Sequence, residues 1–242
     1  MNPKIAKANI LNQVISLIKE GYSCYKISAM LGISHSTAYK HYRKLRGRKY
    51  KQPVIPIDPK IVGEFLGAFA GDGGFYHDKG IGHYTISFHF HLRDDYRYAR
   101  HIKNLIEKNF KKKVRVYEYP KINALRLVFY SKRIYEFITS HLQISPRKSS
   151  HVRLIRKVSS YSRNLLKYFI RGLIDTDGYT TKKYRIILGS ISGDLISQSS
   201  SILRNLGINN SVGVWNRKAP EKNLHVVTIP TREFQNYVQI VG

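Results

Sequence analysis

Two aspartates stand at matched places in a repeated stretch, and their setting is the most chemically telling feature of the chain. Glu64-Phe65-Leu66-Gly67-Ala68-Phe69-Ala70-Gly71-Asp72-Gly73 and, 105 residues later, Phe169-Ile170-Arg171-Gly172-Leu173-Ile174-Asp175-Thr176-Asp177-Gly178 each read as an apolar helix ending in Asp-Gly. Glycine just past the last helical residue predicts closure in a left-handed conformation. Asp72 and Asp177 then sit at the negative pole of each helix, where a carboxylate costs about 0.3–1 kcal/mol. Beside them are last-turn carbonyls without intrahelical donors, including those of Gly71 and Thr176. Small residues recur every four positions, Gly63, Gly67 and Gly71 on the first helix and Gly172 and Thr176 on the second. Such stripes let two backbones approach closely, which would bring the acid-bearing ends together. Two carboxylates among helix-end carbonyls, with no side-chain cation between them, repel one another. A pair of hard divalent cations with oxygen ligands relieves that repulsion, and Mg²⁺ is the usual choice.

The elements that must position these acids are legible around them. Asp58 can cap the first helix, with Pro59 at its first position. Alternating residues predict a strand in which Ile86, Phe88, Phe90 and Leu92 face inward and Thr85, Ser87, His89 and His91 outward. A helix near 95–110, strands near 114–119 and 125–130, and a helix near 134–142 follow. The second half repeats this order with a strand at 186–192, a helix at 195–206 and strands at 212–215 and 226–229. The predicted fold class is therefore α+β, with two pseudo-twofold αββαββα repeats. The expected boundaries are 60–145 for the first repeat, 146–162 for an inter-repeat linker and 163–242 for the second.

These stretches resemble the LAGLIDADG motif of the homing endonucleases, loosely at 65–73 and more closely at 170–178. The family's earlier motif acid survives as Asp175 but is Ala70 in the first copy. The resemblance implies that Asp72 and Asp177 are catalytic metal ligands assisted by backbone oxygens of Gly71 and Thr176. It implies Mg²⁺, with Mn²⁺ an alternative and Ca²⁺ a non-catalytic substitute, and hydrolysis of one phosphodiester on each DNA strand. It further places a basic residue near each centre. Ser131-Lys132-Arg133 parallels Thr231-Arg232-Glu233, so Lys132 and Arg232 are the expected catalytic-pocket cations. Asp94, Ser190 and Ser192 are weaker candidates for a polar pocket residue. In this family the strands form a saddle over DNA. Here the saddle would carry His83, Thr85, Ser87, His89 and His91, then Lys113, Arg115, Tyr117 and Tyr119, and in the second copy Arg185, Ser190, Trp215 and Arg217.

Residues 1–57 hold 11 Lys+Arg and one acid, Glu20. Ile10, Leu11, Val14, Ile15 and Ile18 recur at helical spacing, and Gly21 ends that helix. Ser23 caps a second helix, Gly32 turns the chain, and Ser34 caps a third through Ala38, Tyr42 and Leu45. This order is that of a small all-α helix-turn-helix domain, expected at 1–46. Val14 to Tyr42 resembles the DNA-binding end of resolvases and invertases, which implies DNA contacts by His35, Ser36, Thr37, Lys40, Arg43 and Lys44. Residues 47–59 read as a basic, proline-rich linker, whose cations, with Arg46, Arg48 and Lys49, can lie against DNA.

The 242 residues carry 42 Lys+Arg against 15 Asp+Glu, a net charge of +27. A surplus of that size points to a polyanion as partner, nucleic acid above all. Cys24 is the only cysteine, so an internal disulfide and a Cys-rich zinc site are excluded. No run of roughly 18 apolar residues predicts a membrane span. The expectation is a monomeric, cytoplasmic, nucleoid-associated DNA endonuclease, organellar if its gene is organelle-encoded. The rival readings are an intron maturase that binds its host RNA and a DNA-binding regulator that does not cut.

Overall fold

The computed structural model describes residues 3–46, 52–78, 80, 82–144, 151–218 and 220–242, with the side chains of 3–8 and 46 left aside. Two compact units divide the chain between Gln52 and Pro53. The first contains α1 (Pro3–Lys19), α2 (Cys24–Leu31) and α3 (His35–Arg46). Val14, Ile18, Ile27 and Ala38 form its small core. Ser23 accepts a hydrogen bond from the Lys26 amide, and Gly32 closes α2 at φ 59°. The Ser34 hydroxyl accepts from the Thr37 amide at 3.2 Å. Ile10 and Leu45, which share the helical spacing, are exposed.

The second unit begins earlier than the linker reading anticipates. Pro53 is buried, Ile55 packs on the core, and the Val54 amide donates to the Phe110 carbonyl. Asp58 then caps α4 (Pro59–Asp72), accepting from the Lys60 amide. Next come β1 (Gly73–Asp78), β2 (His83–His91), α5 (Tyr96–Asn109), β3 (Arg115–Tyr119), β4 (Ala124–Tyr130) and α6 (Lys132–His141). The segment expected to link the repeats contains structure of its own, because β6 (Arg153–Leu154) pairs with β5 (Leu142–Gln143). The order then recurs as α7 (Arg163–Asp177), β7 (Gly178–Thr180), β8 (Ile186–Ser190), α8 (Gly193–Asn205), β9 (Ser211–Trp215), β10 (Leu224–Ile229) and α9 (Phe234–Ile240). The two four-stranded antiparallel sheets have matching orders, β1-β2-β4-β3 and β7-β8-β10-β9. This is the mixed α+β, two-repeat architecture read from the pattern.

One face of each sheet carries the core. Phe88, Phe90, Leu125, Leu127 and Phe129 meet Phe65 and Phe69 of α4 and Phe110 after α5, all within one buried cluster. Phe65 has ring neighbours Phe110 at 4.5 Å and Phe88 at 5.9 Å. A second fastening is polar. The His101 ring lies 2.6 Å from buried Glu64, and that bond raises the His101 pKa against the opposing effect of burial.

The central feature is the α4–α7 pair. A Cβ built at Gly63 would overlap the Leu165 carbonyl, one at Gly67 that of Phe169, and one at Gly172 that of Glu64. The contacts run in the same order along both helices, so the pair is parallel, and only hydrogen fits between the backbones. Glycine inside a helix costs about 1 kcal/mol relative to alanine, and here the close approach explains its presence. Gly67→Ala is therefore expected to destabilise the chain by about 1–3 kcal/mol in a denaturant melt, the usual range for overpacking. A gain of about 1 kcal/mol, as propensity alone would give, would show that the helices are not so tightly joined.

Candidate active site

Parallel packing brings the two acid-bearing helix ends side by side. Gly71 faces α7 so closely that a Cβ on it would lie 2.8 Å from the Thr176 Cβ and 3.2 Å from the Asp177 Cγ. Asp72 is the next residue, so both acids stand at one junction. Neither helix has a basic residue in its last turn. The Thr176 hydroxyl is turned back onto its own helix, donating to the carbonyls of Gly172 and Leu173 at 3.1 and 3.0 Å.

The left-handed closure expected at Gly73 and Gly178 is not what occurs. Both are extended (φ −76° and −97°) and open strands β1 and β7 directly. Glycine is needed there for room, because a Cβ would press on the Phe69 ring and carbonyl in one case and on the Ile174 carbonyl in the other.

Withdrawal from water raises the pKa of Asp175, with Arg171 opposing the effect and Glu64 adding to it. Burial likewise pushes up the phenols of Tyr98 and Tyr237, and the charge of Asp175 adds to both. Arg171 lies 3.8 Å from the Asp175 carboxylate on the same helix.

The donor set there is two carboxylates and helix-end backbone oxygens. Among the described residues no group of three or more His, Cys, Asp or Glu side chains could hold a metal ion. Hard oxygen ligands suit Mg²⁺ and its substitutes and do not suit zinc. The residues present therefore fit the cation that the helix ends suggest.

The expected basic partners are elsewhere. Gly73, beside Asp72, pairs with Phe88, whereas Lys132 follows Ser131, whose amide donates to the Tyr84 carbonyl. Four strand residues, about 13 Å, separate those levels. Lys132 lies exposed at the start of α6, 3.5 Å from Glu136. Arg232 occupies the matching place after β10, next to Thr231, whose hydroxyl bonds the Lys183 carbonyl. The Ser-Lys and Thr-Arg parallels are real equivalences at the far strand ends, away from the acids. Of the polar candidates, Ser192 is a buried cap of α8 that also donates to the Val152 carbonyl. Asp94 pairs with His91 at 3.7 Å in an exposed turn. Ser190 does line a cavity of about 460 Å³ with Asp177, Gly71, Tyr179, Trp215 and Arg217.

Ladder pairing fixes what the sheets present opposite the core. Thr85, Ser87, His89 and His91 of β2 share a face with Arg115, Tyr117 and Tyr119 of β3. His83 opens β2, and Lys113 is exposed just before β3. Ser87 departs from the expectation. It sits opposite Gly74 and Val128, bonds the Gly74 carbonyl and the His89 ring, and is buried. Sequence reasoning missed Arg126 and Tyr130, the outward residues of β4, because that strand reads chiefly as core. Its own alternation, Leu125, Leu127 and Phe129 against Arg126 and Tyr130, carries the signal. The Arg115 guanidinium lies 5.6 Å from the Tyr130 ring centre, and the buried Arg126 Nε has no hydrogen-bond partner among the described residues.

The second sheet differs at equivalent positions. Matching Gly73–Phe88–Leu127–Val116 with Gly178–Leu188–Val227–Val212 equates His89 with Gly189, Arg126 with Val226, Tyr117 with Gly213 and Ser87 with Ile187. Polar side chains fill the first face, and small or apolar ones leave the cavity beside Asp177 on the second. Trp215 and Arg217 border that cavity, while Arg185 is exposed in the loop before β8.

In the first unit, His35, Ser36, Thr37, Lys40, Arg43 and Lys44 are all exposed on α3. Ser36, Tyr39, Lys40, Arg43 and Lys44 line one hollow. Arg48 and Lys49 lie outside the described residues, and of Arg46 only the backbone is described.

With this geometry in view, comparison with known proteins is informative. Residues 164–242 match the family model of the LAGLIDADG-like domain. No curated protein sequence matches. Among solved structures, homing endonuclease I-DmoI in complex with DNA and Mn is 20% identical at a TM-score of 0.58, over 76% of this chain and 96% of that one. I-DmoI with DNA and Ca gives 20% and 0.59, over 76% and 89%. The N-terminal LAGLIDADG domain of DUF199/WhiA gives 14% and 0.51, over 78% and 86%. Residues 164–242 are thus similar to a LAGLIDADG-like domain, and the two-repeat unit that contains them has the LAGLIDADG fold.

Proposed function

We propose that the chain is a site-specific double-strand DNA endonuclease that hydrolyses one phosphodiester on each strand with divalent cations. The observation that carries this reading is the meeting of Asp72 and Asp177 at the joined ends of α4 and α7, where Asp177 stands against Gly71. Asp177 with the Gly71 backbone, and Asp72 with the Thr176 backbone, would each hold a cation. Bound there, Mg²⁺ supplies charge neutralisation at the phosphate and a water more easily deprotonated. The protein's part is to fix the two centres at one spacing and to hold the duplex over them. I-DmoI, which shares the fold, has been solved with DNA and Mn, with DNA and Ca and with its target DNA and Mg.

The saddle face supports duplex as the substrate. Arg115, Tyr117, His89 and Tyr130 present donors and aromatic surface on one side of a sheet, with Arg126 half-buried among them. In the second repeat, Arg217 is the cation that shares a cavity with Asp177, and it takes the phosphate-facing role first expected of Arg232. The exposed face of α3 would add contacts in a neighbouring major groove, as recognition helices do, with the intervening chain raising its effective concentration. One chain holds both centres, so a monomer suffices. A maturase or a non-cutting regulator would use the same surfaces without needing both acids.

A randomised duplex library offered to the protein in Mg²⁺ should yield a cut population that is absent in EDTA. Asp72→Asn and Asp177→Asn should each stop cutting of at least one strand while leaving binding within a few-fold. Unchanged double-strand cutting by both variants would refute the assignment of the acids. Binding without any cutting in Mg²⁺ would leave a regulator. The recovered sites should carry more sequence information in the half under the first sheet, where each good side-chain-to-base pair discriminates by about 1–3 kcal/mol. Equal information in both halves would show that the polar and apolar faces do not set selectivity.

A further inference from the structure

One of the most basic helices of the second unit faces away from the saddle. Helix α5 buries Ala99, Ile102, Leu105 and Ile106 against the core face of the first sheet. Its opposite side therefore points away from the face that carries His89, Arg115 and Tyr117. That side presents Arg97, Arg100 and Lys108 in one stripe, all exposed, with Lys111 and Lys113 exposed just beyond. Lys103 flanks the stripe and is matched by Glu107 at 2.7 Å. No ion pair engages Arg97, Arg100 or Lys108 among the described residues.

The fold does not ask for this stripe. Asp95 is the N-cap of α5, but no acid stands in its first turn, so Arg97 and Arg100 lie near the positive pole of the helix, where cations are unfavourable by about 0.3–1 kcal/mol each and Asp95 offsets part of that. Helix α8 does the same packing work for the second sheet, burying Leu195, Ile196, Ile202 and Leu203. Its exposed residues are Asp194, Ser197, Ser201, Arg204 and Asn205, and Asp194 is itself paired with Arg153. Two helices with one structural task thus differ in what they show to solvent.

The stripe also joins the saddle. β3 is the edge strand of its sheet, and Lys113 and Lys111 lead from Arg115 on the saddle side back to Lys108 on α5. The positive surface therefore turns the outer edge of the first repeat. Arg100 also borders a hollow of about 270 Å³ with Tyr96, Val116 and Glu118, but Arg97, Arg100 and Lys108 are themselves cations, and cations alone suffice for phosphate. From Arg97 to Lys108 the helix rises about 16 Å, long enough to meet several phosphates of one strand, which advances about 3.4 Å along the duplex axis per nucleotide.

We propose that α5 binds the phosphate backbone of duplex DNA that leaves the saddle past β3, so that flanking DNA bends around the edge of the first repeat. The inference rests on the reading of the saddle as a duplex-binding face. It adds a second, sequence-independent contact zone on one side of the site only. Bending 20–30 base pairs by 40–90° costs of the order of 1–6 kcal/mol, which the added phosphate contacts would offset.

The test uses the full chain, in Ca²⁺, and duplexes carrying a library-selected site that are trimmed stepwise on one side or the other. Trimming the flank on the first-repeat side should weaken binding by tenfold or more. Arg97→Ser/Arg100→Ser/Lys108→Ser should bind long duplexes as weakly as the wild type binds trimmed ones, with the salt slope reduced by roughly 2–3. That variant should melt no lower than wild type and cut a short site at the wild-type rate. Equal affinity of the triple variant and the wild type for long duplexes would overturn the inference while leaving the saddle reading intact. So would a loss confined to an RNA hairpin or to polyglutamate. Failure of the wild type to bind any duplex would end both.

Discussion

Backbone-to-backbone contact between α4 and α7 is the constraint on which the rest of the structure depends. Gly63, Gly67 and Gly172 remove the side chains that would hold the helices apart, and the parallel arrangement sends both C-terminal ends to one point. Each sheet is hung directly from the end of its helix, because Gly73 and Gly178 are at once the helix stop and the first strand residue. Acids, strands and the concave face are consequently fixed relative to one another by a single packing event. A helix pair held by ordinary side chains, 8–10 Å apart, would separate the carboxylates and splay the sheets.

Duplication supplies the frame, and divergence has then acted on its outward faces. The two repeats share one ladder order, and apolar residues match over most of the core face (Ile86, Phe88, Leu127 and Phe129 with Ile186, Leu188, Val227 and Ile229), though Phe90 and Leu125 give way to Ser190 and His225. The concave faces are not alike. His89, Tyr117 and Arg126 on one side stand where Gly189, Gly213 and Val226 stand on the other. The outer helices differ in the same sense, α5 basic and α8 nearly neutral. Core positions answer to volume and cannot drift far, whereas outward positions answer to whatever they touch. An asymmetric partner laid across a pseudo-symmetric protein is the physical situation that such a pattern fits.

The features that proved legible in the sequence were those governed by period and steric size. Spacing-four glycines foretold the helix contact, strand alternation foretold the ladders, and Ser23 and Asp58 foretold caps that form as read. What failed depended on three-dimensional neighbours. The matched positions of Lys132 and Arg232 are correct as a repeat relationship, but equivalence says nothing of distance, and the strands carry both residues away from the acids. Ser87 has the right parity for the concave face, yet the bare Gly74 backbone beside it and His89 above it close it off. Arg126 went unread because its strand is mostly core. The extended Gly73 and Gly178 show the general hazard, since a glycine required for space looks the same in sequence as one required for a left-handed turn.

If the joined helix ends form a shared divalent-cation site, thermal melting with and without Mn²⁺ tests that most directly, since a ligand bound only to the folded state raises its melting temperature. Added Mn²⁺ should raise the Tm of the wild-type chain above its value in EDTA, raise it less for Asp72→Asn or Asp177→Asn alone, and leave the double variant unmoved. The same Mn²⁺-dependent rise in the double variant as in the wild type would contradict the account, because the cations would then be held somewhere other than between α4 and α7.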